Sequence, residues 1–104
     1  MNALAFRYDE TIDLEVPLTD APIETHQVEN DALRYKLEKL AGIIPERIKD
    51  LEKQYEQAYA RVLESEGEAF FTAMDEVALI SRKIGELNIW YYRLQGRHLV
   101  PYYG

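Results

Sequence analysis

Val62-Leu63-Glu64-Ser65-Glu66-Gly67-Glu68-Ala69 is the stretch whose reading decides the fold of this chain. Before it, Ile44, Ile48, Leu51, Tyr55, Ala58 and Val62 recur at alternating spacings of four and three. After it, Ala73, Val77, Ile80, Ile84, Leu87, Tyr91 and Leu94 repeat the same spacing. That period lays apolar side chains along one stripe of a helix, ready to interlock with a second helix lying nearly parallel or antiparallel. Inside the quoted stretch the phase slips, because Ala69, Ala73 and Val77 are each four apart. Gly67 weakens a helix interior by roughly 1 kcal/mol relative to alanine. Ser65 with Glu68 three residues on has the pattern of a capping box. A helix unbroken from Pro45 to Gln95 would be a rod about 77 Å long at ~1.5 Å per residue, needing a partner along its length. The sequence predicts the break instead, with antiparallel helices over 45–65 and 68–95.

Upstream, Leu33, Leu37 and Leu40 form another helical stripe, and Gly42 fits the position just past a helix end. Asp20 reads as a cap with Pro22 in the first turn. Pro45-Glu46-Arg47 suits the start of a new helix, since proline there loses no needed hydrogen bond and Glu46 complements the dipole. A first helix over 22–41 follows. At the far end Gly96 closes the last helix, leaving an aromatic tail over 96–104.

The first nineteen residues behave differently. Leu4, Phe6, Tyr8, Ile12, Leu14, Val16 and Leu18 occupy even positions, and every odd position from Arg7 to Glu15 is polar. A period of two marks a half-buried strand. Asp9-Glu10-Thr11 interrupts it, so this acidic arm is either a β-hairpin or one extended segment. A lone hairpin is barely stable in water, so its apolar face must rest on helices or on another subunit. The fold class is therefore mainly α: an antiparallel helical hairpin or small helical bundle with an extended or β-hairpin N-terminal arm, all in one domain.

Charge is unevenly distributed over this chain of net −7. Residues 1–31 balance to −7, residues 32–80 to −3 and residues 81–104 to +3. An acidic front and a basic rear attract one another within or between chains. The acids spaced through Phe6–Glu15 resemble a phosphate backbone if they share a face, although the wet face of a strand is the plainer reading. With no cysteine, disulfides, thiolate metal sites and cysteine nucleophiles are excluded. No signal-peptide pattern and no run near the ~18 apolar residues of a membrane span occur, so a cytoplasmic protein without membrane attachment is expected.

Chemical motifs are scarce. Di-iron helical bundles need Glu-x-x-His pairs, and none occurs. His26 with Glu29 is a weak metal pair, and His98 has no acid or nucleophile indicated beside it. Ser65 and Ser81 lack a nucleophile-elbow context, and no glycine-rich loop follows a strand. No enzyme activity, cofactor or metal is expected. Phe70, Phe71, Tyr55 and Tyr59 are assigned to the core and its edge.

The function expected from these features is that of a small acidic, homo-oligomeric adaptor or inhibitor, a symmetric dimer at its simplest, that binds an unidentified protein. Its contact residues would be Phe6 and Tyr8 on the arm, then Trp90, Tyr92, Arg93, Arg97, Tyr102 and Tyr103 in the C-terminal segment. A nucleic-acid-binding regulator is a second reading, with Arg82, Lys83, Arg93 and Arg97 as phosphate partners beside stacking rings. A small-molecule or metal-binding bundle is a third.

Overall fold

The structure is a computed structural model and describes residues 4–97. Strands β1 (Phe6–Asp9) and β2 (Leu14–Pro17) form an antiparallel hairpin, followed by a 3-10 turn at Thr25–Gln27 and two helices, α1 (Asp31–Glu64) and α2 (Glu68–Arg93). The helices pack on each other along their seams. Leu37, Leu40, Ile44, Leu51 and Ala58 of α1 meet Ile80, Leu87 and Trp90 of α2, and Leu94 continues the core just beyond α2. Ile12 and Val16 add the arm to the same cluster. The expected mainly helical fold, with a helical hairpin and a β-hairpin arm, is what forms.

The break between the two long helices falls where the phase slips. Gly67 takes φ +62°, a backbone that L side chains rarely adopt, and turns the chain back. Ser65 plays a different part from the expected one. It ends α1, its Oγ donating to the Arg61 carbonyl at 2.5 Å, while α2 starts without a side-chain cap. The capping box is not made, because glycine's turn brings Ser65 back over α1 rather than forward onto α2.

The division into helices over 22–41 and 45–65 is corrected. One helix runs from Asp31 to Glu64 straight through Gly42 and Pro45. A proline inside a helix removes one backbone donor and crowds the preceding turn, at a cost of about 3 kcal/mol. Both breakers lie on the exposed side of α1, whereas Leu37, Leu40, Ile44, Ile48 and Leu51 keep a continuous stripe past them. Ending the helix at Gly42 would split that stripe and expose side chains worth roughly 1.5–3 kcal/mol each on burial. Seam continuity wins.

Residues 22–30 are also not helical beyond the short 3-10 turn. Asn30 caps α1, its Oδ1 accepting from Leu33 N at 2.9 Å. The segment before it is a strap across the end of α2. Ile23 N donates to Arg93 O (2.7 Å), the buried Thr25 hydroxyl donates to Leu94 O (2.6 Å), and Glu24 forms a bridge with Gln95. Helix ends leave carbonyls without intrahelical donors, and the strap supplies them. The chain then turns at Gly96 (φ +73°), with Gly96 N donating to Arg93 O and Arg97 N to Tyr92 O, the paired bonds of a glycine-terminated helix. α2 thus ends at Arg93, two residues short of the expected 95, with Gly96 closing the turn that follows it.

The arm departs from its expected pattern in one respect. Its register pairs Phe6 with Pro17, Arg7 with Val16, Tyr8 with Glu15 and Asp9 with Leu14. Paired residues of an antiparallel ladder share a face, so even positions on β1 match odd positions on β2. The four-residue loop between Asp9 and Leu14, with Asp13 at φ +56°, sets this parity. Leu18 N donates to Ala5 O, which makes Phe6–Pro17 and Tyr8–Glu15 the non-hydrogen-bonded pairs. Pro17 thus sits where a missing N–H costs the hairpin nothing. Arg47 pins the loop to α1, its Nη1 donating to Ile12 O (2.9 Å) and Asp13 O (3.1 Å).

Two glycine substitutions separate a continuous α1 from a broken one. A Cβ at Gly42 meets nothing within 4 Å, so Gly42→Ala is expected to raise stability by about 0.5–1 kcal/mol in urea unfolding. A helix ending at residue 42 would give a loss instead. Gly96→Ala must lower stability by on the order of 1 kcal/mol, because its φ is positive and the new methyl would meet the Glu24 carboxylate.

Candidate interaction surface

The expected contact residues separate into three groups. Trp90 is corrected first: it is only 5% exposed and belongs to the helical core. Its position lies one step off the heptad stripe, where it lines a cleft together with the arm's Pro17 and Leu18. Arg93 stacks its guanidinium over the Trp90 ring at 4.5 Å and reaches Thr19 O at 3.4 Å, which ties the arm's exit to α2. Phe6 is half-buried, packed on the core beneath the Lys36 ammonium at 3.9 Å from its ring centre. These three hold the fold together.

Tyr8, Tyr92 and Arg97 remain accessible. Tyr8 is 54% exposed on β1. Tyr92 is half-buried beside Tyr91, with the exposed Arg97 guanidinium 4.8 Å from its ring centre. Tyr102 and Tyr103, with His98, lie outside the described residues.

Between arm and α2 lies a cleft of about 210 Å³ lined by Arg7, Asp9, Asp20, Glu86, Trp90 and Arg93, among others. The charges are mixed, and Glu86 Oε2 is buried there without a hydrogen-bond partner while its other oxygen stands 4.0 Å from Arg82 Nε. Among the described residues no three His, Asp or Glu side chains group as metal ligands. His26 sits in the 3-10 turn, 3.9 Å from Glu24. No helix among the described residues is long and apolar enough to cross a membrane.

The acids of the arm do not share a face. Asp9 lies with Leu14 and Val16, whereas Glu15 lies with Tyr8. The strands therefore do not form the single-faced array of phosphate-like charge that was weighed against a plain wet face. The basic groups are dispersed as well. Arg93 and Arg97 cover their own rings, and Arg82 and Lys83 are successive residues pointing about 100° apart around α2.

The residues that sequence reasoning missed lie on the helical hairpin itself. The arm covers one side of it, where Thr11, Ile12 and Asp13 sit over Arg47, Leu51 and Lys83. On the other side, Tyr55, Glu52 and Glu56 of α1 and Ser81 and Ile84 of α2 line an open groove of about 580 Å³. Towards the turn this face carries Tyr59, stacked on Tyr55 with ring centres 6.3 Å apart, and Leu63, 72% exposed. Across from them stand Met74 and Phe71, the latter 67% exposed and edge-on to Phe70 at 5.5 Å. Phe71 and Tyr59, assigned to the core and its edge, are instead exposed. Tyr59 follows the buried Ala58 by one position and Phe71 precedes the buried Ala73 by two, steps that the helical period turns outward. A signal was present, since Phe71, Met74, Ala78, Ser81, Gly85, Asn88 and Tyr92 follow a second three–four spacing without a charge.

No family model, curated protein or solved structure matches this chain. Its surfaces must be read from their own chemistry. Aromatic and aliphatic side chains exposed side by side are uncommon on monomers and mark contact surfaces.

Truncations should sort these residues by role. Trp90→Ala is expected to cost about 3–5 kcal/mol in urea unfolding, as a buried aromatic does. Phe71→Ala in the isolated chain should stay within about 0.5 kcal/mol of the parent, measured at a concentration low enough to suppress association.

Proposed function

We propose that this protein is a non-enzymatic interaction module, a small acidic, oligomeric adaptor or inhibitor that binds another macromolecule. The observation that carries this reading is the exposed aromatic and aliphatic surface, set on a two-helix frame. Interfaces draw their energy from a few such side chains, with tyrosine prominent among them.

The arm supplies the contact to the partner. β1 and β2 pair only with each other, so each keeps one edge unpaired with any strand among the described residues. Phe6 and Tyr8 occupy non-hydrogen-bonded positions, and their backbone groups therefore face the outer edge of β1. An extended segment of a partner adds there as a third strand, with Tyr8 beside it. The stacked Tyr92–Arg97 pair and the tail carrying Tyr102 and Tyr103 provide a second contact, and binding at both would multiply the affinity of either.

Tyr8→Pro tests this directly. It removes an outward N–H while leaving the hairpin's own bonds in place. Full-length bait should capture a protein from native lysate in the presence of nuclease, and Tyr8→Pro and Tyr92→Ala baits should each lose most of it. Capture that vanishes with nuclease, or that both variants retain in full, would reject the proposal.

A further inference from the structure

We infer that the uncovered face of the helical hairpin is where a second copy of this chain docks, α1 of each copy lying against α2 of the other, with both turns at the same end. The inference rests on the oligomeric part of the reading above and assigns it a surface.

Layering argues for an occupant. Helical domains bury their apolar stripes between two layers, and among the described residues the arm provides a second layer on one side of the hairpin only. Leu63 and Phe71 on the other side stay 72% and 67% exposed.

Shape and charge select a copy of the same chain. α2 presents a second three–four stripe that is bulky near the turn, at Phe71 and Met74, and small in the middle, at Ala78, Ser81 and Gly85. α1 presents the reverse on the same face: Tyr59 and Leu63 near the turn, then the long carboxylates Glu56 and Glu52 at the level of Ser81. Stacking two hairpins with their turns together sets Tyr59 and Leu63 against the partner's Phe71 and Met74, a dry aromatic end. The same arrangement brings Glu52 and Glu56 over the small residues towards the partner's Arg82. Glu52 and Glu56 are exposed and form no ion pair among the described residues, and Arg82 has only the 4.0 Å contact with Glu86. The opposite stacking, α1 on α1, would set these carboxylates against their own copies. Like charges in apposition disfavour it.

Sedimentation equilibrium of the full chain, from micromolar to high concentration, reads the result. The expected mass is twice that of the 12.2 kDa chain. Leu63→Glu and Phe71→Glu should each give a monomer with the helical circular-dichroism signal retained. Reversing Glu52 and Glu56 to Arg should weaken the dimer about tenfold, and adding Arg82→Glu should restore it. A parent chain that is monomeric throughout overturns the inference, including when Phe71→Glu lowers its melting temperature, since the face would then hold another segment of the same chain. A dimer indifferent to Leu63→Glu and Phe71→Glu overturns this face while leaving an oligomeric adaptor standing. A dimer that those substitutions dissolve, but that the charge reversal fails to restore, overturns the pairing of α1 with α2.

Discussion

The seam between α1 and α2 is the constraint on which every other part of the structure depends. It keeps α1 helical through Gly42 and Pro45, although each would end a helix standing alone. Proline's lost bond is a local cost of a few kcal/mol, and a severed seam would expose several large side chains at once. The breakers are tolerated because they face water, where no neighbouring element needs the missing donor. The seam also fixes where the turn falls, at the one place where the stripe changes phase and a glycine permits a positive φ.

The arm and the strap are consequences of how the seam ends. α2 finishes with carbonyls at Arg93 and Leu94 that need donors, and Ile23 and Thr25 provide them. Once that connection is made, residues 4–18 must lie against one side of the hairpin. Ile12 and Val16 enter the core there, Phe6 packs under Lys36, and Arg47 grips the loop. The arm is therefore part of the folded body on one side and an open strand edge on the other.

Periodicity made the helical hairpin, the β-arm and the turn at Gly67 legible in the sequence. It failed wherever a local residue preference was set against a tertiary contact. Pro45 and Gly42 read as boundaries because their preferences are strong, and only the pairing of Ile44 and Ile48 with α2 reveals that they yield. Residues 22–30 read as helix because nothing in their composition announces that Thr25 will cap a chain segment 69 residues away. The arm's alternation was real, yet strand parity depends on loop length, so the expected common face dissolved into two. Among the candidate contacts, Trp90 was misread because the sequence does not show that an aromatic one step off the seam is buried in the core beside the arm. Phe71 and Tyr59 were misread for the converse reason: no element among the described residues covers them.

The bond from Thr25 to Leu94 spans most of the chain, and it gives folding a schedule. Contacts between α1 and α2 start next to the turn and propagate outward, each closing a slightly longer loop. Bringing Thr25 to Leu94 closes a far longer loop than the contacts beside the turn do, and the packed helices span that distance for it. The strap's bonds lie at the end of α2, away from the central layers of the seam at Ala58 and Ile80, so they complete the seam without forming part of its middle.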